Sequence, residues 1–217
     1  MIKACIFDLD GTLLDTLRTI AHFGNKALKN FGIEEIPVED YKILVGNGSK
    51  VLIKRMLKAR GESEERYPEI HKWYMNEYES DFMYLTKAYD GIIPMLEKLK
   101  ELGIKTAILS NKDDSTVKKV TEELLPEGIV DVCLGARQDK PLKPEPDSVF
   151  EIVEELGVAR GECLYIGDTA TDIETAKNAG ICSVGVLWGF RSEEELRAAG
   201  ADIIVSSPSE IVDAAIR

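Results

Sequence analysis

Six short, mostly apolar runs, Ile2–Leu9, Lys105–Ser110, Val130–Leu134, Cys163–Gly167, Cys182–Leu187 and Asp202–Val205, punctuate the chain. Amphipathic stretches long enough for helices, Gly91–Leu102, Asp113–Leu125, Asp147–Leu156, Asp172–Ala179 and Ser192–Ala199, lie between them. A run of this kind reads as a strand buried on both faces. Regular alternation with helices implies crossover connections and a parallel sheet covered on both sides. The expected fold is therefore α/β, a Rossmann-like doubly wound parallel sheet. In such sheets ligands sit beyond the carboxyl ends of the strands, so chemistry should be sought there.

Residues 16–85 interrupt the alternation. Apolar residues recur at helical spacing through Leu17–Phe31, Lys50–Lys58 and Glu65–Tyr84, with no convincing strand among them. This predicts an all-helical insertion at 16–85, set into an α/β domain made of 1–15 and 86–217. The insertion holds five of the seven tyrosines and Trp73, which at helical spacing are expected to be packing residues.

Composition narrows the partners. A net charge of −12 and no long basic run argue against nucleic acid and anionic membrane surfaces. Cys5, Cys133, Cys163 and Cys182 are too widely spaced for a zinc site and read as small buried hydrophobes of a reduced, cytoplasmic protein. The start MIKACIFDLDG reaches acidic residues too soon for a signal peptide, and no stretch is apolar for long enough to span a bilayer. A monomer or weak homodimer is expected.

Four motifs fall at predicted strand ends. Asp8-Leu9-Asp10-Gly11-Thr12 places two carboxylates on one side of a strand terminus if the extended geometry persists. Such a pair repels unless a cation, a shared proton or a division of roles compensates. Gly167-Asp168-Thr169-Ala170-Thr171-Asp172 puts one carboxylate at a strand end and a second one helical turn later, where an acidic residue also suits a helix start. Together the carboxylates make an oxygen-ligand cluster suited to magnesium. Ser110-Asn111-Lys112 offers a hydroxyl and backbone N–H groups for phosphate oxygens, and Lys143, ahead of Pro144-Glu145-Pro146, a compact positive charge. Taken singly, Ser110-Asn111 could be a helix cap and Lys143 a solvated lysine.

DLDGT, LSN, the lysine of KPEP and GDTATD, in that order, resemble the four motifs of the haloacid dehalogenase superfamily, and the insertion resembles that superfamily's first type of cap. Softer features resemble its phosphoglycolate phosphatase branch: Asp15-Thr16, Val45-Gly46-Asn47-Gly48 with Val51-Leu52-Ile53, and Gly189-Phe190-Arg191-Ser192-Glu193-Glu194-Glu195-Leu196. The resemblance implies a phosphatase acting on a small phosphorylated metabolite through an aspartyl phosphate. It makes Asp8 the nucleophile and Asp10 the general acid, then base. Magnesium would be held by Asp8, the Asp10 main-chain carbonyl and Asp168, supported by Asp172. Ser110 and Lys143 would bind the phosphoryl group, aided by the backbone around Gly11, Thr12 and Asn111. The cap turn Gly46-Asn47-Gly48 is expected to reach the substrate through Asn47, since glycines allow close approach; an ordinary interhelix turn is the alternative.

Asp10 argues against the dehalogenase branch, because a halide leaving group needs no proton. A β-phosphoglucomutase-like enzyme typically carries a cap histidine where Ile20 stands, with His22 two positions off. A sister phosphatase for pyrophosphate or a sugar phosphate is the nearest alternative. A non-catalytic binding protein is the reading from another class, yet no motif residue is missing.

Overall fold

β1 (Ala4–Phe7) has all four residues completely buried in the computed structural model, which describes residues 1–216. A turn leads to β2 (Leu14–Asp15), after which four helices follow without a strand: α1 (Leu17–Asn30), α2 (Tyr41–Leu44), α3 (Gly48–Ala59) and α4 (Tyr67–Ser80). The chain returns through β3 (Lys87–Ala88), paired antiparallel with β2. Helix and strand then alternate to the end. They are α5 (Ile92–Glu101), β4 (Lys105–Asp113), α6 (Asp114–Leu124), β5 (Val132–Ala136), α7 (Asp147–Leu156), β6 (Cys163–Gly167), α8 (Ala170–Ala179), β7 (Cys182–Val186), α9 (Glu193–Ala199), β8 (Ile203–Val205) and α10 (Ser209–Ile216).

The main sheet runs β5-β4-β1-β6-β7-β8, every pair parallel, so β1 sits between β4 and β6 where the strand order reverses. That reversal opens a crevice at the carboxyl ends, and it is the place a doubly wound sheet offers a ligand. The period-two alternation of side chains sends Cys5 and Phe7 to one face and Ala4 and Ile6 to the other. Cys5 and Phe7 join a core with α5, α6 and α10, whereas Ala4 and Ile6 join one with α7 and α8. The expected two-sided sheet is what the chain builds.

The helices from α1 to α4 bury a third apolar cluster of their own, joined by Phe190 from the loop after β7. Within α1, Gly24 stands where a Cβ would come 2.5 Å from the Tyr41 hydroxyl. A mid-helix glycine costs roughly 1 kcal/mol against alanine, and close packing of α1 on α2 explains it here. Tyr41, Tyr74 and Tyr78 are buried and Tyr67 and Trp73 pack partly buried against them, as the spacing predicts, but Tyr84 is exposed.

Several details differ from expectation. β2 and β3 and the last helix, α10, were not foreseen; two-residue strands carry no readable period. β4 runs on to Asp113, with a register irregularity against β5 after Leu109. Cys5 and Cys163 are buried, whereas Cys133 and Cys182 are only half-buried; all four are free thiols. No helix among the described residues is long and apolar enough to cross a membrane.

Candidate active site

β1, β4 and β6 end side by side, and the loops that follow them carry most of the singled-out residues. Asp8 comes directly after β1 and Asp168 directly after β6. Asp172 is the third residue of α8, where its Oδ2 accepts from the Thr169 backbone N–H (3.0 Å) and hydroxyl (2.6 Å) in a capping box. Its Oδ1 is 2.7 Å from the ammonium of Lys143, in the loop after β5, and that ammonium is also 2.8 Å from Asp8. Both oxygens of Asp172 are thus engaged, which suits a supporting role.

Ligand oxygens of Asp8, Asp168 and Asp172 lie within 4.8 Å of one another, and all three residues are buried. Asp168 accepts from the Thr12 hydroxyl (3.1 Å) and the Phe190 N–H (2.8 Å). Glycines let this happen: a Cβ on Gly11, whose φ is +89°, would come 2.4 Å from Asp168 Oδ2, and one on Gly189 would fall 2.3 Å from Asp168 Cβ. The Thr12 side chain therefore orients Asp168.

Burial, followed by the neighbouring Asp172 and Asp8 charges, pushes the Asp168 carboxyl well above the usual range. Burial likewise raises Asp8, to about 7, against the opposing pull of Lys143. Burial would lower Lys143, but Asp172 and Asp8 together hold it well above an ordinary lysine. Four carboxylates, with Asp10, face two ammonium groups, Lys143 and Lys112, in this crevice. Once all four are ionised, the two unbalanced negative charges and the all-oxygen donor set fit a divalent cation, which would take the place of the protons that burial favours.

A cavity opens above this cluster, lined by Asp8, Asp10, Ser110, Asn111 and Lys112 from below and by Gly46, Gly48, Ser49, Tyr74 and Tyr78 from the helical insertion. Asp8 and Asp10 thus face one space but take different partners. Asp10 is held 3.0 Å from Lys112, so its carboxylate does not join the three-carboxylate group. Burial opposes the charge on Lys112, while Asp10 and Tyr78 more than restore it, leaving its pKa above the ordinary value. Ser110 and Asn111 are not the cap of α6; that is Asp113, which accepts from the Ser115 N–H. Asn111 spends its amide on Lys143, accepting from its N–H (2.9 Å) and donating to its carbonyl (3.2 Å), and it also donates to the Gly46 carbonyl (3.2 Å).

Asn47 differs most from its expected place. Its side chain accepts from Arg55 (2.8 Å) and donates to Thr171 (3.2 Å), and Gly46 and Gly48 line the cavity in its stead. A Cβ on Gly48 would come 3.0 Å from the Asn111 carbonyl, so the glycines do permit close approach to the sheet. Arg191, one of the softer features, donates to the Val45 carbonyl (3.1 Å) and helps tie this turn to the α/β domain. Ile20 lines the cavity, whereas His22 lines a separate surface groove with Arg18 and Asn25. Lys112 and Tyr78 are the site residues that sequence reasoning missed; Lys112 stood beside Asn111 in the motif, but Tyr78 gave no signal apart from packing.

A family profile described as haloacid dehalogenase-like hydrolase matches residues 5–186. The chain belongs to this family. It is 34% identical over 211 residues to a phosphoglycolate phosphatase of Aquifex aeolicus (strain VF5), covering 97% of this chain and 95% of that one. A phosphoglycolate phosphatase of Vibrio parahaemolyticus is 31% identical, with 98% and 95% covered. A crystal structure from Lactobacillus delbrueckii subsp. bulgaricus, provisionally described as a phosphoglycolate phosphatase, superposes with a TM-score of 0.93 at 33% identity and 98% coverage of each chain. The β-phosphoglucomutase of Clostridium difficile superposes less closely, at a TM-score of 0.79 and 26% identity, with 97% of this chain and 93% of that one covered. The chain is an enzyme of the phosphatase type.

Proposed function

We propose that this enzyme is a magnesium-dependent phosphatase that forms an aspartyl phosphate on Asp8, with phosphoglycolate as its substrate. The observation that carries the reading is the meeting of Asp8, Asp168, Asp172 and Lys143 at one buried point beneath a cavity that Asp10 also lines. The names of the curated relatives support the substrate. Ile20 faces the cavity at the place where β-phosphoglucomutase-like enzymes typically carry a cap histidine, which speaks against a mutase.

Asp8 attacks the phosphorus and the ester oxygen leaves, so one displacement becomes two easier ones. Asp10 donates a proton to the departing oxygen and later takes one from the attacking water. Lys143 and Ser110 bind the phosphoryl oxygens, with N–H groups around Gly11, Thr12 and Asn111 assisting. Asp8, Asp168 and the Asp10 carbonyl would hold magnesium, with Asp172 behind them. When bound, the ion supplies charge neutralisation to the phosphoryl oxygens. We take residues 1–15 and 86–217 as the catalytic domain and 16–85 as a cap that excludes water and selects the substrate.

A panel of phosphoesters with and without magnesium tests this. The expected result is the highest kcat/KM for phosphoglycolate and none in chelator. A higher value for pyrophosphate or a sugar phosphate would replace the substrate, and full activity in chelator would remove the metal.

A further inference from the structure

Lys112 has no task in the reaction as just described, yet its ammonium lines the cavity and is almost as deeply buried as that of Lys143. Its three N–H groups meet three acceptors: the two Asp10 oxygens, at 3.0 and 3.2 Å, and the Tyr78 hydroxyl, at 2.7 Å. Asp10 and Lys112 follow β1 and lie at the end of β4, whereas Tyr78 is on α4 in the insertion. The contact therefore spans the two parts of the molecule. Tyr78 is itself rigidly seated, its ring 5.4 Å from that of Phe23 and 5.5 Å from that of Tyr74.

A lysine ammonium is a strongly hydrated charge on a flexible four-carbon stem and does not by itself fix a neighbour's direction. Here the phenol and the burial take away that freedom. Proton transfer to a leaving group needs a donor at hydrogen-bond distance in one orientation. We propose that Lys112 and Tyr78 are positioning residues for Asp10, the α4 phenol fixing the ammonium and the ammonium aiming the carboxyl, so that acid catalysis depends on α4 being seated over the site. This rests on the assignment of Asp10 as the general acid. A simple phosphate-binding lysine is the competing role, and it would serve every ester alike.

The test compares kcat/KM for a primary alkyl phosphate and for an aryl phosphate, whose leaving group departs unprotonated, in Tyr78→Phe, Lys112→Met, Asp10→Asn and the Lys112→Met/Asp10→Asn double variant. Tyr78→Phe keeps the ring and its packing, so it stays informative if Lys112→Met does not fold. Asp10→Asn should lose the whole of an acid's usual contribution of about 10²–10⁴ on the alkyl ester, and Tyr78→Phe and Lys112→Met part of it, so in those two variants the alkyl ester should suffer about tenfold more than the aryl ester. The double variant should be no worse than Asp10→Asn alone, because the two residues act as one unit. Equal losses on both esters in Tyr78→Phe, or additive losses in the double variant, would overturn the proposal. If Asp10→Asn itself shows no preference between leaving groups, the assignment of Asp10 fails instead, and that outcome is separately visible.

Discussion

The ammonium of Lys143 stands 2.8 Å from a carboxylate oxygen of Asp8, and both side chains are more than nine-tenths buried. Charges taken out of water in this way are tolerated only while paired, and removing one partner of a buried pair typically costs about 3–5 kcal/mol. Lys143→Met should therefore lower metal-free stability by about that amount in denaturant unfolding and reduce kcat by about 10²–10³-fold. A stability loss below about 1 kcal/mol would mean that the carboxylates are not ionised around the lysine.

Stability and metal binding at this carboxylate cluster should both depend on pH. Burial first, then neighbouring carboxylates, raises Asp8 to about 7 and Asp168 well above the usual range. The folded protein then binds more protons than the unfolded chain, so metal-free stability should fall as pH rises from about 4 through about 7. A cation must displace those protons, so the rise in melting temperature on adding magnesium should grow over the same interval. Calcium should stabilise yet support turnover poorly, because its looser coordination does not hold the nucleophile in place. A magnesium effect that is flat with pH would contradict this.

Gly11→Ala and Gly32→Ala separate strain from crowding. Both glycines have positive φ, +89° and +71°, but only at Gly11 would a Cβ collide, 2.4 Å from Asp168 Oδ2, while at Gly32 nothing lies within 4 Å. Gly32→Ala should cost roughly 1 kcal/mol with kcat unchanged, the strain of a side chain in that region. Gly11→Ala should in addition abolish the magnesium-induced shift in melting temperature. Equal behaviour in the two variants would show that Asp168 does not need the space.

Asn47→Ala now has a different expected outcome from that of a substrate-contacting residue. Its amide joins Arg55 to Thr171 and so ties the cap turn to α8. Its loss should raise KM several-fold for all substrates together, with their ranking kept. A change of ranking in steady-state assays would restore direct contact.

Much of this was legible because of burial. Ala4–Phe7 and Cys163–Gly167 are enclosed on both faces, so they had to be written as unbroken apolar runs, and the aspartates that follow them stand out by contrast. Leu14–Asp15 and Lys87–Ala88 pair through two residues each, too few for any period to show. The link from Tyr78 to Lys112 joins residues 34 apart in different parts of the fold, and a tyrosine at helical spacing looks the same whether it packs or bonds. Asn47 shows the converse: glycines on either side marked a close approach correctly, but the backbone of Gly46 and Gly48 uses it, not the side chain between them.

The division of roles proposed for the first motif, Asp8 as nucleophile and Asp10 as separate acid and base, is tested most directly by quenched mass spectrometry of Asp10→Asn after mixing with an aryl phosphate. The leaving group departs unaided, so Asp8 should still be phosphorylated. Hydrolysis of the acyl phosphate lacks its base, worth about 10²–10⁴-fold, so the intermediate should accumulate and the peptide containing Asp8 should carry one phosphate. Phosphate on any other residue, or no phosphoprotein although the variant folds and binds magnesium, would contradict it.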